Sequence, residues 1–456
     1  MSVRRTLRAP SRSTRSAPKR RWPGSRLVHS VDFQLIRASR EARKGVHGLG
    51  PGLITGVADD DPSGISTYTV TGATWGYQFL WTSVITLPMN IAVQSVCARV
   101  GLVTGRGLAG TIRSEYGRRW LYPIVALLFV ANTINIGADI VAIAAVIDML
   151  TGLPATVLVL PIGLGIALLE IIIPYPRFAR YLKLLTLVIF AYVIGAFFAS
   201  PDWGAAAAAT VIPKVSLTPD AIQTFVAILG TTISPYLFFW QVSEEVEEEE
   251  SRGITPAAAP PGQMRSLLHA ARLDVATGMV LANVGFYFIV LTSAATLHAA
   301  HQNDIQTAAQ AAEALRPLAG SASSLLFALG IIGTGLLAIP TLAGSSAYAA
   351  SELFDWPEGL NKTFRRAPQF YIVIALATLL GGLMTFTGIS EISALILAAT
   401  VNGVIAPILL VFIMSIAGNR HVLGEYVFGR TTRIVGWATT VSMALAAILL
   451  FATLRS

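Results

Sequence analysis

Gly50-Pro51-Gly52-Leu53-Ile54-Thr55-Gly56-Val57-Ala58-Asp59-Asp60-Asp61-Pro62-Ser63-Gly64-Ile65 is the stretch on which the fold turns. It lies in an apolar run, 50–74, that is long enough to cross a bilayer. Three carboxylates followed by Pro-Ser-Gly at mid-span would be expensive in an intact, lipid-facing helix. Pro62 removes a backbone donor, and Ser63 and Gly64 tolerate an unwound chain. A second run, 219–242, is interrupted in the same way at Thr231-Thr232-Ile233-Ser234-Pro235-Tyr236. Unwound backbone at membrane depth is tolerated only where it lines a cavity or is buried in protein. Matching breaks in the first and sixth spans are what two inverted five-helix repeats predict, with a substrate site between them at the midplane. Two ordinary proline kinks in a bundle would leave the acids unexplained.

Composition supports a membrane setting. Apolar residues make up 54% of the 456 and charged residues 13%, and the mean hydropathy is +0.64. A soluble fold cannot hide that much apolar surface, so the chain reads as an all-α, polytopic membrane protein. Spans are expected at 50–74, 77–98, 121–147, 153–173, 181–200, 219–242, 273–297, 321–349, 369–387, 391–417 and 432–454, eleven in all. The repeats then occupy about 48–200 and 219–417, with 432–454 as an extra helix, inside a transporter domain of 48–456. The single cysteine, Cys97, excludes an intrachain disulfide and a cysteine-based metal site.

The net charge of +8 is unevenly placed. Thirteen of the 33 Lys and Arg fall between Arg4 and Lys44, so 1–47 reads as a disordered basic cytoplasmic tail drawn to anionic headgroups. No apolar region follows closely enough for a signal peptide. The loops Arg99–Arg119, Arg177–Lys183, Arg252–Arg272, Lys362–Arg366 and Arg420–Arg433 fall on the side of the tail, whereas Lys214, Arg316 and Arg455 fall opposite. By the positive-inside rule the N-terminus is cytoplasmic and the C-terminus outside, in a plasma membrane. The bias of 28 Arg to 5 Lys suggests a bacterial one. There is no phosphate loop, no nucleophile–base set and no recognition helix, so neither an enzyme, a bound cofactor nor a nucleic-acid partner is expected.

The breaks carry a resemblance. Gly50-Pro51-Gly52 leading to Asp61-Pro62-Ser63-Gly64 resembles the Nramp family of divalent-metal transporters, whose first span carries Asp-Pro-Gly-Asn. Ala98-Arg99-Val100-Gly101-Leu102-Val103-Thr104-Gly105-Arg106-Gly107-Leu108-Ala109 is similar to the family's second-span exit. Thr231 to Tyr236 stands where the family has Ala-Thr-Val-Met-Pro-His. The resemblance implies a symporter-like fold that carries divalent cations, as substrate, into the cytoplasm. It places the metal-binding aspartate on Asp61 and carbonyl ligands on Ala58 and Thr231. The family's ligating Asn falls on Gly64 and its ligating Met on Ser234. A thioether favours transition metals, whereas Mg2+ takes oxygen ligands and retains water. An oxygen-only site around Asp61 is thus similar to the magnesium-transporting branch of the family, with Mn2+ also accepted. A proton-coupled Mn2+ or Fe2+ symporter is the alternative within the family.

Coupling is the second departure. Asp139 matches a family Glu, but Ile136 stands in place of an Asp and Tyr236 in place of the His. A phenol with a reference pKa of about 10 does not titrate at neutral pH as an imidazole does, so uniport is expected. Asp139 is either an electrostatic partner of the ion or a bundle acid hydrogen-bonded near Asn132 and Asn135. Asp59 and Asp60 either focus cations at the vestibule or cap the broken helix, one of them protonated. Glu244 to Glu250 either gathers cations leaving the inner vestibule or is a solvated extension of the sixth helix, the reading preferred, and His298 and His301 are a pair at weak metal spacing. From another class, an organic-solute symporter on the same fold is disfavoured, because three acids would repel a carboxylate substrate.

Overall fold

Pro51, Pro62, Pro219 and Pro235 each stand at the start of a helix, whereas Pro88, Pro123, Pro161 and Pro407 lie inside one. Pro51 opens α1 (Pro51–Ala58) and Pro62 opens α2 (Pro62–Trp75); the missing N–H costs nothing at that first position and the fixed φ is already helical. The computed structural model describes residues 50–173, 175–302, 305, 307–384 and 391–453, so the expected tail lies outside the described residues. The chain continues through α3 (Trp81–Thr104), α4 (Leu108–Tyr116), α5 (Arg118–Thr151), α6 (Ala155–Ile172), α7 (Tyr175–Leu185), α8 (Ile189–Phe198) and α9 (Trp203–Val211). The sixth run forms α10 (Pro219–Thr232) and α11 (Pro235–Ser251), again with proline at each start. Next come α12 (Pro261–Ser293), α13 (Ala308–Phe354), α14 (Pro368–Leu383), α15 (Glu391–Ala417) and α16 (Arg430–Thr453). No strand occurs among the described residues.

Nine segments among the described residues are long and apolar enough to cross a membrane. The first run is divided into helices of 8 and 14 residues and the ninth forms a helix of 16. Each is shorter than the ~20 residues of a straight crossing, so length alone supports nine of the eleven expected spans. Outward faces are apolar. On α6, Val157, Leu160, Leu164, Leu168, Leu169 and Ile172 are all exposed, a surface suited to lipid and far too large for water.

Interior contacts rely on glycine where helices touch backbone to backbone. A methyl group at Gly56 of α1 would overlap Gly278 of α12, and one at Gly101 of α3 would overlap the Val242 carbonyl of α11. The first half of span one thus packs on span seven, and the second half of span six on span two. Without a hydrophobic drive between helices in lipid, such close small-residue contacts supply the association energy.

The acidic run departs from expectation. It continues α11 as a helix, but Glu244, Glu245, Glu247 and Glu249 are buried, not solvated. The segment between α13 and α14 folds over it, with Asn361 N–H donating to Glu247 Oε2 at 3.0 Å. Tyr348 donates to Glu244 at 3.2 Å, and Gln241 donates to Glu245 at 2.8 Å. Glu248 pairs with Lys183 at 3.3 Å and with Arg252 at 2.7 Å.

In the covering segment, burial and the neighbouring Glu352 carboxylate push the Glu358 carboxyl up to about 10. Its pKa is raised on folding, so the folded protein holds a proton that the unfolded chain releases above about 4.3. Stability therefore falls as pH rises from that value toward 10. Glu358→Gln removes the linkage. Its gain in thermal unfolding temperature should be larger at pH 8 than at pH 5.5; equal gains at both would show that Glu358 ionises freely.

Candidate functional site

The break in the first span is built around Asp61, which caps α2. Its Oδ1 accepts the Gly64 N–H at 2.6 Å and the Ser63 hydroxyl at 2.7 Å, answering donors that a helix start leaves open. Its Oδ2 accepts the Asn135 amide of α5 at 2.7 Å. Asp59 and Asp60 form the turn between α1 and α2, and all three acids are buried.

Adjacent in sequence, the carboxylates point to different helices. Asp59 Oδ2 accepts from Asn90 of α3 at 3.3 Å. Asp60 lies against Gly285 of α12, beside Ile189, and among the described residues neither of its oxygens has a hydrogen-bond partner. No group of three or more His, Cys, Asp or Glu among the described residues converges as a metal cluster. The three acids do not form one carboxylate cage.

Convergence occurs instead beside Gly64. A methyl group there would stand 3.0 Å from the Asp59 carbonyl oxygen, 3.2 Å from Thr231 Oγ1 and 3.4 Å from Asp61 Oδ1. The nearest atoms are therefore all oxygens, and the Thr231 hydroxyl has no hydrogen-bond partner among the described residues. Gly64, Asp61 and Thr231 meet at this notch. The Ala58 carbonyl accepts the Tyr236 hydroxyl at 2.7 Å. Ser234 donates to the carbonyls of Gly230 at 2.8 Å and Thr231 at 2.7 Å. Each carbonyl oxygen has two lone pairs, so a hydrogen bond does not exhaust either.

Asp139 is fully buried on α5, one turn from Asn135. The Asn132 amide donates to Leu342, Ser345 and Ser346 of α13, and that of Asn135 to Asp61. His298 Nδ1 meets the Ala73 carbonyl at 2.9 Å, while His301 sits at positive φ.

Sequence reasoning missed Asp274. Its carboxylate, on α12, accepts the N–H groups of Gly50 at 2.7 Å, Gly52 at 2.7 Å and Leu53 at 3.3 Å, clamping the start of α1. An acid just inside the seventh span was the available signal. Asn90 and the Thr231 hydroxyl were also missed: Asn90 lies in an unbroken apolar span, and Thr231 was read for its carbonyl alone.

Comparison with known proteins completes the picture. The profile of the Nramp family, described as natural resistance-associated macrophage protein-like, matches residues 52–453. The chain belongs to the Nramp family. Divalent metal cation transporter MntH of Pectobacterium carotovorum is 26% identical over 423 residues, covering 91% of this chain and 94% of that protein. The Yersinia pestis MntH is 29% identical over 400 residues, covering 85% and 90%. Among solved structures, the Eremococcus coleocola manganese transporter superposes with a TM-score of 0.72 at 20% identity, covering 90% and 87%. Mhp1, a nucleobase-cation-symport-1 family transporter, does so with 0.57 at 13%, covering 90% and 92%. This Nramp member therefore has the paired-repeat fold of secondary transporters.

Asp274 makes the first testable demand on the site. Asp274→Ala leaves three buried N–H groups unanswered and should cost on the order of 3 kcal/mol. Asp274→Asn, keeping one acceptor, should fall between. Thermal unfolding in detergent reads both; an unchanged alanine variant would mean that α1 is held by packing alone.

Proposed function

We propose that this chain carries divalent metal cations into the cytoplasm, Mg2+ and Mn2+ among them, by uniport. The observation that carries the reading is the notch at Gly64, where carboxylate, carbonyl and hydroxyl oxygens stand nearest to one point. Hard cations choose such donors, and Mg2+ uses one or two carboxylates plus retained water. Asp61 supplies the formal charge, and Thr231 and the Asp59 carbonyl supply neutral oxygens at the notch. The Ala58 carbonyl one residue earlier is a further donor, and Gly64 with Ser234 leaves room for water. Asn135 orients Asp61, while Asp59 and Asp60 add negative potential from beside it. The named transport of divalent cations by the MntH relatives agrees with this substrate class.

Uniport is supported by Tyr236, whose hydroxyl is engaged with the Ala58 carbonyl in place of a group that titrates near neutrality. A divalent ion moving down 100 mV, inside negative, gains about 4.6 kcal/mol and needs no proton. The basic loops orient the N-terminus to the cytoplasm and the C-terminus outside. Proton symport is the second reading, favoured by the burial of Asp139 near Asn135.

Proteoliposome uptake with internal pH monitored tests both. Wild type should take up Mg2+ and Mn2+ in response to membrane potential without acidifying the lumen, and folded Asp61→Ala should lose uptake. Uptake by the alanine variant would remove Asp61 from the site. Metal-dependent acidification that vanishes in Asp139→Asn would replace uniport with symport.

Selectivity is a separate matter. Ser234→Met brings a soft sulfur toward Asp61, and Gly64→Asn fills the notch. The double variant should shift binding from Mg2+ toward Cd2+ by on the order of tenfold, about 1.4 kcal/mol. Isothermal titration of folded protein decides it, and an unchanged preference would detach these two positions from selectivity.

A further inference from the structure

Away from the broken spans, a cavity of about 460 Å3 opens between α3, α12 and the segment leading into α16. One end is polar and positive, lined by Arg99, Arg272, Ser95, Thr431 and Thr432. Arg99 is fixed in place. Its guanidinium lies 3.6 Å from the centroid of the Phe428 ring and donates to the Tyr426 carbonyl at 2.8 Å. Arg272 is close enough to repel it. No acid lines the cavity, and neither arginine has a carboxylate partner among the described residues. The nearby acids are engaged elsewhere: Glu425 faces Arg265 at 3.9 Å, and Asp274 holds the start of α1.

The other end is apolar, lined by Pro88, Ile91 and Val435. From Arg99 back to Pro88 is eleven residues of α3, about 16 Å along the helix. The exposed surface around that end continues in Val84, Ile85, Ile434 and Trp437. Two cations and three hydroxyls at one end, with an apolar wall running into the bilayer at the other, match one molecule: a phosphodiester with an acyl chain. Thr431 and Thr432, in the first turn of α16, add a helix start that favours an anion.

We propose that this cavity binds the headgroup of an anionic phospholipid, its phosphate between Arg99 and Arg272 and one acyl chain along Pro88, Ile91 and Val435. The lipid supplies the counter-charge that the protein withholds from the two arginines. It also bridges α3, α12 and α16. Basic pockets between membrane helices are recognised sites for such headgroups.

Native mass spectrometry of the full-length, delipidated protein tests this, with phosphatidylglycerol and phosphatidylcholine titrated separately. Phosphatidylglycerol should bind the wild type about tenfold more tightly than phosphatidylcholine, the scale of one charge-assisted contact. Arg272→Gln should erase that preference, since its side chain makes no hydrogen bond or ion pair among the described residues that folding would miss. Val435→Trp should weaken binding from the apolar end. Arg420→Gln, an exposed basic residue outside the cavity, should leave it unchanged. Equal binding of the two lipids, full retention by Arg272→Gln, or equal loss in Arg420→Gln would each overturn the proposal. Displacement of phosphatidylglycerol by millimolar inorganic phosphate would overturn the lipid in favour of a free anion.

Discussion

A helix broken inside a membrane must have its exposed backbone groups answered by the protein itself, because the lipid offers nothing. In this chain the break between Ala58 and Pro62 sets that demand, and much of the interior is arranged to meet it. Asp61 closes the start of α2, Tyr236 takes the last carbonyl of α1, and Asp274 holds the first N–H groups of α1 from the neighbouring α12. The glycine contacts follow from the same demand. With Gly52 against Val275 and Gly56 against Gly278, α1 lies close enough for Asp274 to reach its N–H groups.

The same bonds sort the half-helices into pairs. Tyr236 to Ala58 joins α11 to α1, and Tyr68 to Thr232, at 3.0 Å, joins α2 to α10. Each pair takes one half from each broken span. The carboxylates of the turn lie where the two pairs meet, buried away from lipid.

The breaks were legible because proline is a local signal: Asp61-Pro62 and Ser234-Pro235 look like helix starts in any context. The class of fold followed from their placement in the first and sixth runs. What remained hidden depends on distance in space. Nothing near residue 60 announces that three adjacent acids turn toward Asn90, Gly285 and Asn135, and nothing near residue 50 names Asp274. The acidic run was misread for a related reason. Charge density suggests solvent, but exposure is decided by what folds across a helix, and here residues near Asn361 do so. Span counting strained where helices are short, as in α14 with its 16 residues.

The notch at Gly64 is bounded from both sides of the break. The Asp59 carbonyl belongs to the end of α1, whereas Asp61 and Thr231 belong to α2 and α10. Any rotation of one pair of half-helices against the other changes the distances among these oxygens. An ion seated there would gain or lose a donor as the pairs move, so grip and release become a single coordinate. Affinity in such a protein is a property of posture, and a cation that holds every donor equally well in all postures would be a plug instead of a passenger.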